Sequence, residues 1–223
     1  WLSHILLSGL HYFLPGYLAE KILQIAILIL LPVGFRYMVK SFRPSESILS
    51  FLIFPFIYSM LFYMGFYNFC IAVGVFFVAI GFWLRHQNHI GRIKNELIFF
   101  LLLLLLYFSH IFVFTLFCGF LFIHFISEFI TGRLIEKTFE WKKYFKKAVF
   151  TILPIIPFLI LYVDYYLRRS EAFISNDDTP LRSLWQWYMY DRELIVFSFD
   201  PEVGTASLVQ FVLSGLCFIA VYK

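Results

Sequence analysis

The chain has 223 residues, of which 61% are hydrophobic and 14% are charged, whereas soluble domains average roughly 45–50% apolar and about 25% charged residues. Too few polar side chains remain to cover an apolar core, so the composition excludes a soluble globular protein and indicates one whose solvent is lipid. The net charge of +4 is too small for a nucleic-acid-binding surface, which excludes nucleic acid as a main partner. Cys70, Cys118 and Cys217 each lie in an apolar run, which excludes a disulfide scaffold.

The first predicted element covers residues 1–16. It is apolar on one face, is closed by Pro15 and Gly16, and is too short to cross a bilayer. We predict an outer interfacial or re-entrant helix here. Because the chain begins at Trp1 and its last apolar run stops at Lys223, we expect it to be a fragment of a longer protein.

Five apolar stretches follow in chain order. A crossing needs about 20 apolar residues, and three stretches have about that length: residues 17–39, 148–166 and 206–222. The other two, residues 48–84 and 96–130, are too long for one crossing, so each predicts a hairpin of two short helices. Gly65 and Asn68 predict the turn in the first hairpin, and Ser109-His110 predicts the break in the second.

The predicted fold is therefore an all-α polytopic transmembrane helix bundle. It has about seven crossings, including the two short-helix hairpins, in one transmembrane domain (1–223), together with the N-terminal interfacial helix. Lys and Arg accumulate in cytoplasmic loops, and this arrangement places 13 of the 18 basic residues on one side. That side includes a basic cytoplasmic loop at 131–147, whose aromatic and lysine residues suit a helix lying on an anionic leaflet.

The opposite side carries a long outer loop at 167–205 and 8 of the 14 acidic residues. We therefore expect a bacterial inner-membrane protein in which the N-terminus of this chain lies outside.

His110 is the first candidate site residue. Ionisable side chains inside a membrane are costly, and His110 lies at a predicted break where a wet cavity can form. It could bind a phosphate or a sugar hydroxyl. Alternatively, the histidine only satisfies backbone groups left unpaired by the break.

Two further outer segments could contribute to the same site. Tyr67 and Asn68 place an aromatic ring beside an amide, a combination suited to holding a sugar, although Gly and Asn also form turns for steric reasons alone. His4 lies on the outer helix and could point into a cavity or only into water.

The outer loop contains Asp177, Asp178 and Arg182. Paired carboxylates can hold a divalent metal ion, and an arginine can bind phosphate. The same sequence is also typical of a solvated turn. No catalytic set is complete in this chain, so the catalytic residues and the metal stay unknown.

Several of these stretches together resemble the GT-C class of bacterial polytopic membrane glycosyltransferases. The resemblance covers about residues 1–166 and rests on short apolar motifs at 54–58, 64–69, 83–85 and 106–110, and on residues 1–4 leading into 19–21. It implies transfer of a sugar from a polyprenyl-phosphate carrier on the extracytoplasmic side. The acidic base of such enzymes would lie in an outer loop upstream of Trp1.

Two other functions remain open from the residues. One is a transporter or flippase for a lipid-linked or small polar solute, which would need polar residues at mid-depth in the bundle. The apolar runs 97–106 and 111–122 offer very few of them. The other is a non-catalytic membrane assembly subunit.

Overall fold

The structure, a computed structural model, describes residues 1–45, 47–135 and 140–172. Within these ranges the chain is all-helical and contains no strand. The predicted crossing at 206–222 and most of the outer loop at 167–205 lie outside the described residues. The helices are α1 (Leu2–His11), α2 (Gly16–Phe42), α3 (Phe54–Ile57), α4 (Met60–Tyr63), α5 (Tyr67–His86), α6 (Ile93–Ser109), α7 (Ile111–Ile130), α8 (Trp141–Ile152) and α9 (Ile156–Ala172).

Three of the described helices are long and apolar enough to cross a membrane. They are α2, α5 with the short turn that follows it, and α7 with its π-helical extension. The pair formed by α8 and the first part of α9 would be a fourth, because the two pass the same test together despite a 47° bend between them. Helix α6 has 17 residues, the lower limit for a crossing. The described residues thus form an all-helical protein with three to four long apolar helices, compatible with an integral membrane protein.

Both predicted hairpin breaks are confirmed. Gly65 adopts a φ of +81°, a left-handed conformation that glycine adopts without the steric cost paid by other residues. His110 has an extended backbone (φ −158°, ψ 116°) between α6 and α7. Each long apolar stretch is therefore interrupted where the sequence indicated.

The first half of the hairpin predicted in 48–84 is not one continuous α-helix. This stretch consists of a 3₁₀-helix (Ser47–Ile53) followed by the two single-turn helices α3 and α4. Pro55 lies in the first turn of α3, where a residue without an N–H is tolerated. For the same reason Pro55 cannot lie in the interior of a longer helix that starts before it. Tyr58 then leaves the helical conformation and Ser59 caps α4 by accepting a hydrogen bond from the Phe62 N–H.

The helix expected within the basic loop at 131–147 corresponds to α8, which begins at Trp141. It ends at Ile152, inside the stretch 148–166 that was predicted to be one crossing. Pro154 follows, and α9 starts at Ile156 in a different direction. Proline disfavours a helical conformation in the residue before it and lacks an N–H, which accounts for a bent pair in place of one straight helix.

Helix α5 lies at the centre of the described bundle. Over the apolar stretch of each helix, 56% of α5 is buried against 28% of α2 and 22% of α7. Trp83 is completely buried and packs against Phe99 of α6 and Phe125 of α7. The outward sides of α2 and α7 expose large apolar residues such as Ile29 and Phe122, as expected of a surface that faces lipid.

Helices α2 and α5 approach each other closely along glycine residues. A Cβ at Gly34 would lie 2.7 Å from the Gly74 carbonyl oxygen, and one at Gly81 would lie 2.5 Å from Cδ1 of Tyr37. Small residues allow the backbones of membrane helices to meet in this way. The packing of α5 against α2 places the turn at Gly65 beside the N-terminal end of α2.

Candidate functional site

A cavity of about 540 Å³ opens at the end of the bundle where α5 begins. It lies between three segments that are far apart in sequence: the start of α1, the turn that precedes α5, and the break between α6 and α7. Its lining includes His4, Asn68, Phe69, Tyr107 and His110. The size falls within the range of small-molecule sites, about 300–1,000 Å³.

The structure brings four sequence-predicted site residues together around this cavity. They are His110, Asn68, Tyr67 and His4. The other three, Asp177, Asp178 and Arg182, lie outside the described residues. A role in substrate binding remains a prediction for all seven.

The backbone of His110 takes part in the hydrogen bonding of both helices at the break. Its backbone N–H donates to Leu106 O at 3.0 Å, and its carbonyl accepts from the Phe114 N–H at 3.1 Å. The backbone groups of His110 itself are therefore satisfied without the imidazole. Its Nδ1 is buried and has no hydrogen-bond partner among the described residues.

The His110 ring is fixed by an aromatic contact. It meets the Phe69 ring edge-on, with centroids 5.2 Å apart and planes at 87°. Burial lowers the pKa of His110 below its ordinary value of 6.5, so the imidazole is neutral near pH 7. A neutral, oriented imidazole with an unpaired nitrogen can accept or donate one hydrogen bond to a ligand hydroxyl.

Asn68 links the turn to the first helix. Its side-chain oxygen accepts a hydrogen bond of 2.7 Å from the backbone N–H of Ser3. That bond closes one wall of the cavity, because it fixes α1 over the start of α5. The amide nitrogen of Asn68 is the group that remains for a ligand.

Tyr67 contributes its ring to the cavity, while its hydroxyl is bound to α2. The hydroxyl donates to Glu20 Oε1 at 2.8 Å and accepts from Gln24 Nε2 at 2.6 Å. Gln24 also donates to Glu20 at 3.2 Å. These three side chains form a closed polar group beside the cavity that locks the turn to α2.

Sequence reasoning did not assign Glu20 and Gln24 to this site. The signal available was their spacing of four residues, which puts both on one face of α2, directly in the path of the hairpin turn. Polar pairs with that spacing are common on solvated helices. The pattern by itself therefore did not distinguish a solvated pair from one bound to the turn.

The described residues contain no group of three or more His, Cys, Asp or Glu side chains that could hold a metal ion. The predicted metal alternative concerned Asp177 and Asp178, which are not among those residues. No carboxylate lines the cavity within the described part of the chain. The arrangement can therefore bind and orient a hydroxylated ligand through an imidazole, an amide and aromatic faces.

Comparison of the chain with protein-family models, with curated proteins and with solved structures found no match.

Proposed function

We propose that this chain is an integral membrane glycosyltransferase-like protein that takes a sugar from a polyprenyl-phosphate carrier on the extracytoplasmic side. The observation that supports it most directly is the cavity in which His4, Asn68 with Tyr67, and His110 converge from three separate segments. Imidazole and amide groups can hydrogen-bond sugar hydroxyls, and aromatic rings can stack on the apolar faces of a sugar.

The surroundings of the cavity suit a lipid-linked donor better than a free sugar. Phe108 lines the cavity and is 40% exposed, and Phe112, the second residue of α7, is 56% exposed. Apolar side chains that reach from a polar cavity to the outer surface of the bundle offer a path for a polyprenyl chain, which is as apolar as the lipid tails around it.

The membrane topology is part of the same proposal. It has seven crossings in a bacterial inner membrane, with the cavity end outside and the basic end inside. The asymmetry of Lys and Arg supports this orientation. Under it, the cavity faces the side on which polyprenyl-phosphate sugars are consumed in the class that the sequence resembles.

The transporter alternative predicts a polar path through the bundle. Apart from Asn95 and Ser109, which lie near the two ends of α6, the buried side chains of α6 and α7 are instead apolar: Phe99, Leu103, Leu106, Val113, Phe114, Phe117 and Leu121. This packing favours chemistry at one membrane face. A non-catalytic assembly subunit would bind the donor without cleaving it.

The test uses the purified full chain in detergent micelles with a synthetic polyprenyl-phosphate-glucose. We expect binding, measured by the shift in thermal unfolding temperature, and expect His110→Ala and Asn68→Ala each to weaken it by about 5–10-fold, the loss of roughly one hydrogen bond. Thr115→Ala is the control, since this side chain lies one turn into α7 and bonds only Ile111 O at 3.0 Å among the contacts described.

Three outcomes separate the alternatives. Release of polyprenyl phosphate, with transfer of its glucose to an added acceptor alcohol or to water, indicates a transferase. Binding without release indicates that the chain holds the donor without cleaving it, as an assembly subunit would. Movement of the intact donor from one leaflet of proteoliposomes to the other indicates a flippase. Unchanged binding and stability in His110→Ala would overturn the assignment of the cavity as the donor site.

A further inference from the structure

A second cavity, of about 310 Å³, lies at the opposite end of α5. It is enclosed by the turn between α5 and α6, the end of α7 and one side of α8. Its charged lining residues are Arg92, Glu128, Lys143, Lys146 and Lys147. The cavity shares none of its lining with the donor cavity and plays no part in the proposed function.

The single carboxylate in this cavity is already used. Lys147 is only 6% exposed, and its ammonium group forms an ion pair with Glu128. The same ammonium donates to Gln87 Oε1 at 3.3 Å. A buried cation needs such partners, so Glu128 serves the fold and does not neutralise the other cations around the cavity.

Three cations remain around the cavity. Arg92, Lys143 and Lys146 are exposed, and no carboxylate other than Glu128 lines this space within the described chain. The Lys146 ammonium lies 6.0 Å from the Phe150 ring centroid, which keeps its stem along the cavity wall. Three unneutralised cations around one concavity concentrate positive potential there.

Helix α8 determines where this charge lies relative to a membrane. Trp141, Phe145, Val149 and Ile152 recur at spacings of four, four and three residues and are all exposed, so they form one apolar face. Lys143 and Lys146 lie on the flank that lines the cavity. An amphipathic helix of this kind rests in the membrane interface with its apolar face in the acyl region. The cavity then opens at the level of lipid headgroups.

We propose that this cavity binds a phosphate group with net negative charge, as presented by an anionic phospholipid headgroup or by a soluble phosphate ester. Arg92 supplies a planar fork of donors for phosphate oxygens, and the two lysines supply point charges. The volume accommodates one headgroup. The Lys147–Glu128 pair forms the floor and holds α7, α8 and the turn after α5 in place around it.

The test measures ligand-induced shifts in the unfolding temperature of the full chain in dodecyl maltoside micelles. The probes are dioleoyl-phosphatidylglycerol, dioleoyl-phosphatidylcholine and inorganic phosphate, each titrated separately. We expect phosphatidylglycerol to stabilise the protein and phosphatidylcholine to have little effect. Stabilisation by phosphatidylglycerol alone assigns the site to a lipid headgroup, whereas stabilisation by inorganic phosphate assigns it to the phosphate group itself.

Charge variants locate the site. Arg92→Gln, Lys143→Gln and Lys146→Gln should each weaken the apparent affinity about fivefold, the effect of one basic residue near an anionic surface. Lys142→Gln is the matched control, because it removes the same charge from α8 at an exposed position that does not line the cavity. We expect it to change the affinity less than about twofold.

Two results would overturn the proposal. One is the absence of stabilisation by both phosphatidylglycerol and inorganic phosphate, or equal stabilisation by phosphatidylcholine. The other is an equal loss of affinity in Lys142→Gln and in the cavity variants, which would indicate attraction to the general surface charge of α8.

Discussion

His110 combines a rigid position with an unused polar atom. Its backbone belongs to the hydrogen-bond ladders of two helices, and its ring is held by Phe69, while Nδ1 has no partner in the described part of the chain. A buried polar atom without a partner costs stability. Because Nδ1 is buried, a ligand in the cavity can complete this hydrogen bond only if the ring or its neighbours move.

The same residue predicts how stability depends on pH. Burial lowers the pKa of His110 in the folded chain below the ordinary 6.5, so the unfolded chain binds more protons at pH values between the two pKa values. Stability is therefore fully present above about pH 6.5 and falls as the pH decreases through that value towards the folded pKa.

His110→Phe should retain the edge-on contact with Phe69 and remove the titrating group. We expect the unfolding temperature to fall less in the variant than in the parent chain when the pH is lowered from 7.5 to 5.0. Thermal unfolding of both proteins in the same detergent measures this. Because the two proteins differ only at residue 110, the difference between the two curves isolates His110. Parallel curves would contradict burial of this imidazole.

At the scale of single residues, the sequence predicted residues that line the cavity at the start of α5, but it did not predict the residues that support them. Histidine at a helix break and an amide in a hairpin turn are rare enough in an apolar chain to be noticed. Glu20 and Gln24 were not assigned because a polar pair near the start of a helix has the same pattern whether it is solvated or bound to Tyr67. Only the position of the turn above α2 distinguishes the two.

At the scale of elements, α2 and α5 can pack this closely only because Gly34 and Gly74 have no side chain at their contact. A Cβ at Gly34 would meet the carbonyl oxygen of Gly74 at 2.7 Å. A backbone atom in the middle of a packed helix cannot move aside cheaply. The two helices would have to separate to admit a methyl group.

Gly34→Ala should therefore destabilise the protein by about 1–3 kcal/mol, the usual cost of overpacking. Gly119→Ala is the control, since a Cβ there meets nothing within 4 Å and alanine favours a helix over glycine. We expect no loss of stability in the control. The measurement is the free energy of unfolding in mixed micelles of graded denaturing detergent, and equal values for the two variants would contradict the close approach.

Helix ends were predicted where a residue with a special backbone preference marks them. Gly65 and the polar pair Ser109-His110 interrupt runs that are otherwise uniformly apolar, so both breaks could be located. The region 48–63 could not, because an apolar run containing Pro55 is equally consistent with a kinked helix and with several single turns. A helix was expected within 131–147 from its aromatic and lysine residues, but the end of α8 at Ile152 was not located.

On the scale of the whole molecule, the two ends of the bundle differ in charge. Aromatic, amide and imidazole groups surround the cavity at the start of α5, and cations surround the cavity beyond its end. This polarity was predictable from the distribution of Lys and Arg alone. The number of crossings was not confirmed, because apolar length does not tell whether a short helix such as α6 crosses or packs within the bundle.

A labelling experiment tests the predicted orientation. In a version of the chain with alanine at Cys70, Cys118 and Cys217, Met64→Cys should react in intact cells with a membrane-impermeant maleimide. Asn88→Cys should react only after permeabilisation. The native Met64 and Asn88 are both exposed, so a difference reports the side of the membrane.

Two results would contradict this arrangement. Equal labelling of both positions in intact cells would show that α5 does not cross. The reverse pattern would show that α5 crosses with the basic end outside, against the positive-inside rule.

The glycine contact between α2 and α5 also constrains the order of events during biosynthesis. Helix α2 ends at Phe42, and α5 is complete only at His86, so at roughly 5–20 residues per second the ribosome takes a few seconds to supply the partner. Throughout that interval the surface of the nascent α2 at Gly34 lacks α5, the helix that packs against it in the folded chain. A translocation machinery that holds α2 beside its channel until α5 emerges would shelter that groove, and slowing elongation between residues 43 and 86 would lengthen the time during which a wrong helix can occupy it.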